Sequence, residues 1–485
     1  MAGRMQNFTR VQRDLPTKRD VALRQDDFLE IYERFAPDKA AEQASRCSQC
    51  GVPFCQAHCP LQNNIPDWLL LAAQGRLEEA YRLSQATNNF PEICGRICPQ
   101  DRLCEGNCVL EQSGHGTVTI GAVEKYITDS AWEQGWVEAA RPLRELTQSV
   151  GIIGAGPAGL AAAEQLRARG YQVTIYDRHD RPGGLLIYGI PSFKLEKEAV
   201  QRRTRLIAEA GVTFMLNFEV GRDASLAELR ARHDAVLIAT GVYKARDIRL
   251  PGASLKNILP AMTYLIASNR KGLGDKVPDF EEGMLNAAGK NVVVIGGGDT
   301  AMDCLRTAIR QGARSVSCLY RRDRANMPGS QREVAITEEE GVDFVWQAAP
   351  QAFEGKGAVQ QVRAVRMRLG APDATGRQRP EVVEGSDFTV KADMVIKALG
   401  FDPEDLPRQF SAPALEVTRW GTLRVSYPDM MTSLEGVFAA GDIVRGASLV
   451  VWAIREGREA AEAIARYLGP RGGPCNDDRA PGTQR

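Results

Sequence analysis

Histidine is nearly missing. Only His58, His115, His179 and His233 occur in 485 residues, and they are scattered, so a His-rich metal site is not expected. An excess of charge of either sign is missing too. Lys plus Arg number 61 and Asp plus Glu number 61, so the chain as a whole has no field that would gather nucleic acid or an anionic membrane surface. No stretch approaches the roughly 18 apolar residues that would span a bilayer, and the polar, Arg-containing N-terminus has no apolar h-region. A soluble, cytoplasmic protein is expected. Length excludes a single core: at roughly 150 residues per domain, about three domains should be present.

Cysteine, by contrast, is concentrated. Eight of eleven cysteines lie between Cys47 and Cys108, which in a reducing compartment points to metal rather than to a disulfide framework. The run is Cys47-x2-Cys50-x4-Cys55-x3-Cys59-Pro60. After an interval with helix-period apolar positions from Ile65 to Ser84 come Cys94-x3-Cys98-Pro99 and Cys104-x3-Cys108. Such density supplies thiolates for [4Fe-4S] centres, and a Cys directly before Pro at the end of a ferredoxin run ligates the other cluster. By that rule Cys47, Cys50 and Cys55 hold one cluster while Cys59 reaches to a second. Simple counting assigns eight cysteines to two clusters. Zinc is the alternative, since Cys-x2-Cys is also a zinc knuckle.

From about residue 146 the pattern changes to α/β. An apolar strand, Ser149–Ile153, runs into Gly154-Ala155-Gly156-Pro157-Ala158-Gly159, then an Ala-rich helix to Arg169 and a second strand, Gln172–Tyr176. A glycine motif between strand and helix is the context that indicates a dinucleotide site: the glycines allow a tight turn, close approach of a pyrophosphate, and helix–strand packing. The helix N-terminus then offers free amides to the phosphates. Asp177, at the end of the second strand, stands where a carboxylate accepts hydrogen bonds from an adenosine ribose. The same order restarts at Asn291–Ile295, with Gly296-Gly297-Gly298-Asp299-Thr300-Ala301, a helix to Arg310 and the strand Ser315–Tyr320. Here Arg321 and Arg322 replace the carboxylate. Guanidinium groups bind a 2′-phosphate that a carboxylate would repel, so this unit should prefer NADPH, unless the pair is only a solvated basic face.

Two closing strands echo each other, one ending in Ala239-Thr240-Gly241 and the other in Gly400. The expected fold is α/β: two doubly wound dinucleotide-binding domains behind a helical N-terminal module. A last strand near Gly441 and a helix to Leu468 should rejoin the first unit. The expected limits are 1–145 for the Cys-rich module, 146–285 with 425–470 for the first unit, 286–424 for the second, and a mobile tail at 471–485.

Gly441-Asp442, Gly184-Leu185 after Asp177, and Ala239-Thr240-Gly241 resemble the flavin-binding residues of two-dinucleotide flavoproteins of the glutathione-reductase type. The resemblance implies FAD in the first unit. Disulfide reductases of that type carry a redox-active Cys pair beside the flavin, whereas Cys304 and Cys318 here are single and read as buried small hydrophobes. Electrons must leave the flavin by another route.

From the first Cys run through both glycine motifs to Gly441-Asp442, the chain resembles the small (β) subunits of bacterial NADPH-dependent glutamate synthases. Its N-terminal module is also similar to the N-terminal part of dihydropyrimidine dehydrogenase. The resemblance implies two [4Fe-4S] clusters, FAD in the first site and NADPH in the second, with hydride transfer by alignment and no catalytic acid or base. One cluster in that relative has a Gln ligand, and the same distance from Cys108 reaches Glu124. Carried over, Cys47, Cys50, Cys55 and Cys108 bind one cluster. Cys59, Cys98, Cys104 and Glu124 bind the other, with Cys94 as a neighbour. The resemblance also implies a large (α) subunit with glutaminase and FMN sites, making glutamate from glutamine and 2-oxoglutarate; no Cys follows Met1 here to serve as a glutaminase nucleophile. Two other readings stay open: a sister oxidoreductase acting on ferredoxin, polysulfide or another acceptor, and a zinc-bearing interaction module.

Overall fold

The structure is a computed structural model that describes residues 6–373 and 378–469. The tail expected at 471–485, with Cys475, lies outside the described residues. Ser149–Ile153 and Asn291–Ile295 are apolar and buried almost throughout, as strands covered on both faces must be. Each is the middle of a five-stranded parallel sheet. The first sheet has the spatial order Val437–Ala439, Ala235–Ile238, Ser149–Ile153, Gln172–Tyr176, Thr213–Met215. The second repeats it with Ile258–Pro260, Met394–Lys397, Asn291–Ile295, Ser315–Tyr320 and Asp343–Trp346. The chain thus returns to the first sheet after completing the second. The fold is α/β with two dinucleotide-type units and a helical N-terminal module.

The crossings between sheets lie elsewhere than residues 285 and 425. Ile258–Pro260 already belongs to the second sheet, because the strand Met394–Lys397 leaves a parallel edge that these three residues fill. On the return, Leu406, Phe410, Leu415 and Leu423 pack with Ile153, Tyr176 and Val236 of the first unit. Residues 146–285 therefore do not all serve the first sheet, nor 286–424 the second. Three residues are too few to show a periodicity, which is why this strand is silent in the sequence. A three-stranded antiparallel sheet, Ala348–Glu354, Gln361–Pro372 and Gln378–Lys391, also extends the second unit without having been anticipated.

Both glycine turns are closed by the same contact. Gly154 (φ +111°) and Gly296 (φ +142°) occupy backbone conformations that L side chains rarely adopt, and a Cβ there would lie 2.4 Å from the Ala239 carbonyl and 2.2 Å from the Ala398 carbonyl. Each turn is thus seated on the end of its own closing strand. The helices that follow, Pro157–Ala168 and Asp299–Arg310, start at the turn; Pro157 takes the first helical position, where its missing N–H costs nothing.

In the N-terminal module, the helix-period stretch from Ile65 to Ser84 forms two helices, Ile65–Ala73 and Leu77–Thr87, separated at Gly75 (φ +75°). Trp68, Tyr81, Val123 and Ile127 form its core. Leu61, Phe90, Ile93 and Cys94 instead join the core of the first dinucleotide unit, so the module is packed into that unit rather than hung beside it. Among the described residues no helix is long and apolar enough to cross a membrane.

Candidate functional site

One cavity of about 370 Å³, within the usual range for small-molecule and cofactor sites, runs between all three parts of the chain. Its first wall is Gly154, Gly156, Pro157, Ala158, Asp177, Leu185, Ala239, Thr240, Gly241, Gly441 and Asp442. A Cβ on Gly156 would meet no atom within 4 Å, so the turn opens into space that a phosphate can occupy. Gly159 and Gly184 sit behind this wall. A Cβ on Gly159 would lie 2.0 Å from the Gly154 carbonyl, and one on Gly184 would lie 2.9 Å from Gly156 Cα. Their part is to let the backbone close up.

Asp177 is buried, and its carboxylate already organises the turn: Ala155 N donates to Oδ2 at 2.7 Å, and His179 N and Nδ1 face Oδ1 at 2.8 and 2.9 Å. A carboxylate has about four lone-pair positions, so it retains capacity for a ribose hydroxyl. Burial pushes Asp442 up to about 7. Gly441 beside it is pinned by Glu456, buried in the helix Val450–Leu468, whose Oε2 accepts from Gly441 N at 2.9 Å and whose Oε1 accepts from Arg445 Nε at 2.6 Å. Glu456 carries no motif that would have revealed it.

The opposite wall belongs to the second unit and includes Asp299 and Thr300. Gly298 is as open as Gly156, with nothing within 4 Å of a Cβ, while Gly296 and Ala301 lie in the packing behind. Arg321 and Arg322 follow the strand Ser315–Tyr320, outside the cavity. Among the described residues neither makes an ion pair, and Arg322 Nε is buried without a hydrogen-bond partner. A buried guanidinium nitrogen without a hydrogen-bond partner suits a phosphate acceptor.

Between these walls the structure adds residues that motifs do not mark. Lys194 of the first unit reaches Asp303 at 3.0 Å and Glu333 at 3.5 Å of the second, and Arg306 Nη1 donates to Glu333 at 2.8 Å. Burial opposes the lysine's charge, but the two carboxylates hold it above the usual lysine range. Burial pushes Asp303 up to about 6. Asp303 lies one turn beyond Asp299 on the same helix face, the one sequence signal that could have found it.

The third wall is the Cys-rich module, through Cys98, Pro99, Gln100 and Asp101. Its cysteines fall into two groups. Cys47, Cys50, Cys55 and Cys108 line a small cavity of about 20 Å³, walled by Pro53, Phe54, Pro66, Leu69, Val118 and Ile120. Cys59 and Cys98 each lie within electrostatic reach of Cys94 and Glu124, and Cys104 within reach of Cys59, Glu124 and, in the first group, Cys55. None of the ten described cysteines forms a disulfide. Burial raises Cys47 to about 11, Cys55 to about 12 and Cys59 to about 11, and it raises Glu124 to about 8. A hydrogen bond with Cys94, then burial, lifts Cys98 well above the usual thiol range, and burial does the same to Cys104. Thiols so placed ionise only with a compensating positive centre, which an iron–sulfur cluster supplies. Among the described residues no three such groups converge on a position for a single metal ion. Cys304 and Cys318 are fully buried in the second unit's core.

Residues 24–136 match the family of dihydropyrimidine dehydrogenase domain II, 4Fe-4S cluster, and residues 148–457 match the pyridine nucleotide-disulphide oxidoreductases. A glutamate synthase [NADPH] small chain of Azospirillum brasilense is 70% identical over 464 residues, covering 96% of each chain. That of Escherichia coli K12 is 46% identical over 477 residues, covering 96% of this chain and 100% of the other. The putative oxidoreductase AegA of Escherichia coli K12 is also 46% identical, over 461 residues that cover 94% of this chain and 69% of AegA. Among solved structures, Mycobacterium tuberculosis FprA in complex with NADPH superposes with a TM-score of 0.56 at 19% identity, covering 67% of this chain and 85% of FprA, a likeness of fold. With identity of this extent across nearly the whole length, the chain belongs to the family of glutamate synthase [NADPH] small chains, oxidoreductases with an iron–sulfur module joined to a pyridine-nucleotide flavoprotein.

Proposed function

We propose that this chain is the electron-input subunit of an NADPH-dependent glutamate synthase. It binds FAD on the Gly154–Gly159 turn and NADPH on the Gly296–Ala301 turn, and it passes electrons through two [4Fe-4S] clusters to a large subunit. The observation that carries this reading is the single cavity bounded at once by the first turn, by Asp299 and Thr300 of the second, and by Cys98 and Pro99 of the Cys-rich module. When bound, the flavin supplies hydride acceptance from NADPH and one-electron release to the clusters. The chain's own residues supply alignment. Asp177, Thr240, Gly241 and Asp442 hold the flavin nucleotide, with Gly184 and Leu185 beside it. Arg321 and Arg322 take the 2′-phosphate, and Lys194 with Asp303 and Glu333 keeps the junction of the two units charged and ordered. Cys47, Cys50, Cys55 and Cys108 ligate one cluster; Cys59, Cys98, Cys104 and Glu124 ligate the other, beside Cys94.

The large subunit, bearing glutaminase and FMN sites and forming glutamate from glutamine and 2-oxoglutarate in the cytoplasm, belongs to the same proposal. The surface above the first cysteine group supports a lasting partner. Val52 (65% exposed) and Phe54 (42%) stand in solvent there, and the span from Cys47 to Pro66 contains no charged residue. Depletion of charge with exposed apolar groups is the character of an interface core, not of a surface that steers a charged carrier. The test is anaerobic purification of the chain with whatever protein accompanies it. FAD, iron and acid-labile sulfide should be present, NADPH should bleach the flavin far faster than NADH, and glutamine with 2-oxoglutarate should reoxidise it. Protein with zinc and no iron would refute the proposal.

A further inference from the structure

The Cys-rich module meets the first dinucleotide unit along two helices, Pro91–Ile97 and Lys197–Glu209. The first carries Cys94 and ends at Cys98, which lines the large cavity. Glu92 and Arg96, one turn apart on it, face the second helix of the pair. Arg203 of the second helix grips Glu92 with two parallel hydrogen bonds, Nε to Oε1 at 2.7 Å and Nη2 to Oε2 at 3.0 Å. Both side chains are fully buried. In the reverse sense, Arg96 donates to Glu196, which directly precedes the second helix, at 2.9 Å. Each helix therefore offers one acid and one base to the other.

The arrangement is anchored on both sides. Arg203 Nη1 lies 3.5 Å from Glu164 of the helix Pro157–Ala168, the helix that begins at the flavin turn. Arg96 also holds Glu30 at 2.7 Å and Asp129 at 2.8 Å, and Arg202 takes the other oxygen of Asp129 at 2.8 Å. The helix Pro91–Ile97 has no room to slide on its own module, because a Cβ on Gly95 would lie 2.7 Å from Lys125 N. One guanidinium thus links the helix that bears two cysteines to the helix that cradles the flavin.

Buried ion pairs contribute little net stability compared with apolar packing, but a bidentate pair admits one geometry only. We propose that Arg203 is a positioning residue for the flavin-to-cluster electron step: through Glu92 and Glu164 it fixes how far the Cys94–Cys98 helix stands from the flavin turn. The inference rests on the functional reading above, in which NADPH loses two electrons and each cluster gains one, the proton going to solvent. Arg203, Glu92 and Glu164 do not line the cavity in which hydride transfer would take place.

The test uses the whole chain, purified anaerobically with its flavin and iron, in Arg203→Met, Arg203→Lys and Glu196→Gln forms. Three quantities are followed: amide hydrogen exchange in Pro91–Ile97, the rate of flavin bleaching by NADPH, and the rate at which the reduced-cluster paramagnetic signal appears. In Arg203→Met, exchange in that helix should rise and cluster reduction should slow about tenfold or more, since a misplacement of about 1 Å can cost up to about 100-fold. Flavin bleaching should stay within about twofold, and Arg203→Lys should recover part of the loss. Should Arg203→Met fail to fold, Glu196→Gln, which alters a half-exposed carboxylate, should show the same pattern more weakly. Wild-type cluster reduction in an iron-replete variant whose helix has loosened overturns the inference, and so does a parallel fall in flavin bleaching. Unaltered protein lacking iron or FAD would instead overturn the functional reading beneath it.

Discussion

Arg321 and Arg322 stand after the strand Ser315–Tyr320, where the first sheet has Asp177 after Gln172–Tyr176, and on the function proposed above that difference of charge is how the chain tells two dinucleotides apart. Replacing both with Ala should lower kcat/KM for NADPH by about 100-fold while leaving NADH within about threefold, consistent with loss of bidentate phosphate contacts at about 1.5–3 kcal/mol for a charged hydrogen bond; steady-state kinetics with both coenzymes decides it. Cys94 and Glu124 both lie near Cys59 and Cys98. If Glu124 is the fourth ligand, Glu124→Ala should lose one cluster's iron while Cys94→Ala keeps it, and iron analysis with low-temperature spectra distinguishes the two. Lys197 is a third case. Burial lowers it to about 7, and its ammonium donates to the carbonyls of Leu186 and Ile190. Because the folded state gives up that proton earlier than the unfolded chain does, its burial penalty is full below about pH 7 and fades as pH rises toward 10. Wild type should therefore gain stability relative to Lys197→Met over that window, by at most about 1.4 kcal/mol per pH unit, as denaturation at several pH values would record. The Cys spacings and the Arg pair are legible in sequence because each is local. Lys194 and Arg203 are not, since their partners Asp303 and Glu92 lie more than a hundred residues away, and Glu456 is not, since it meets Gly441, 15 residues earlier, across a turn and a helix that no motif joins.

At the scale of elements, each nucleotide turn is a strand, a glycine and a helix seated on the carbonyl of a closing strand. Gly154→Ala drives a Cβ against the Ala239 carbonyl, and Gly296→Ala drives one against that of Ala398. The first should release FAD while iron content stays near wild type. The second should raise the KM for NADPH about tenfold or more with FAD retained, as a loss of about 1.4 kcal/mol or more would imply. Absorbance and steady-state kinetics separate the two outcomes, and equal loss of FAD in both would contradict independent sites. These elements were readable because a parallel strand buried on both faces must be continuously apolar, and because a turn under a phosphate must be glycine. The strand Ile258–Pro260 and the antiparallel sheet over 348–391 were not readable: three residues carry no period, and Gln378–Lys391 is half polar and largely exposed.

At the scale of the whole molecule, one small cluster joins all three parts. Ile31 from the N-terminal segment, Phe193 from the first unit and Ile336 from the second are buried together, with Arg306 and Arg310 over the Phe193 ring at 4.5 and 4.0 Å. Arg24 of the same N-terminal segment lies 3.3 Å from Glu340, to which Arg306 and Arg310 also bind. Phe193→Ala should cost about 3–5 kcal/mol, seen as a lower unfolding midpoint, and should slow hydride transfer by loosening the angle between the two units. An unchanged midpoint would show that the junction is not a joint. From sequence alone followed the two dinucleotide-type units and the Cys-rich module, because strand–glycine–helix order and cysteine spacing are written within a few tens of residues. Only the tertiary structure decided which walls share one cavity, which cysteines stand together, and which ion pairs bind module to unit, because those relations are set by burial between segments far apart along the chain.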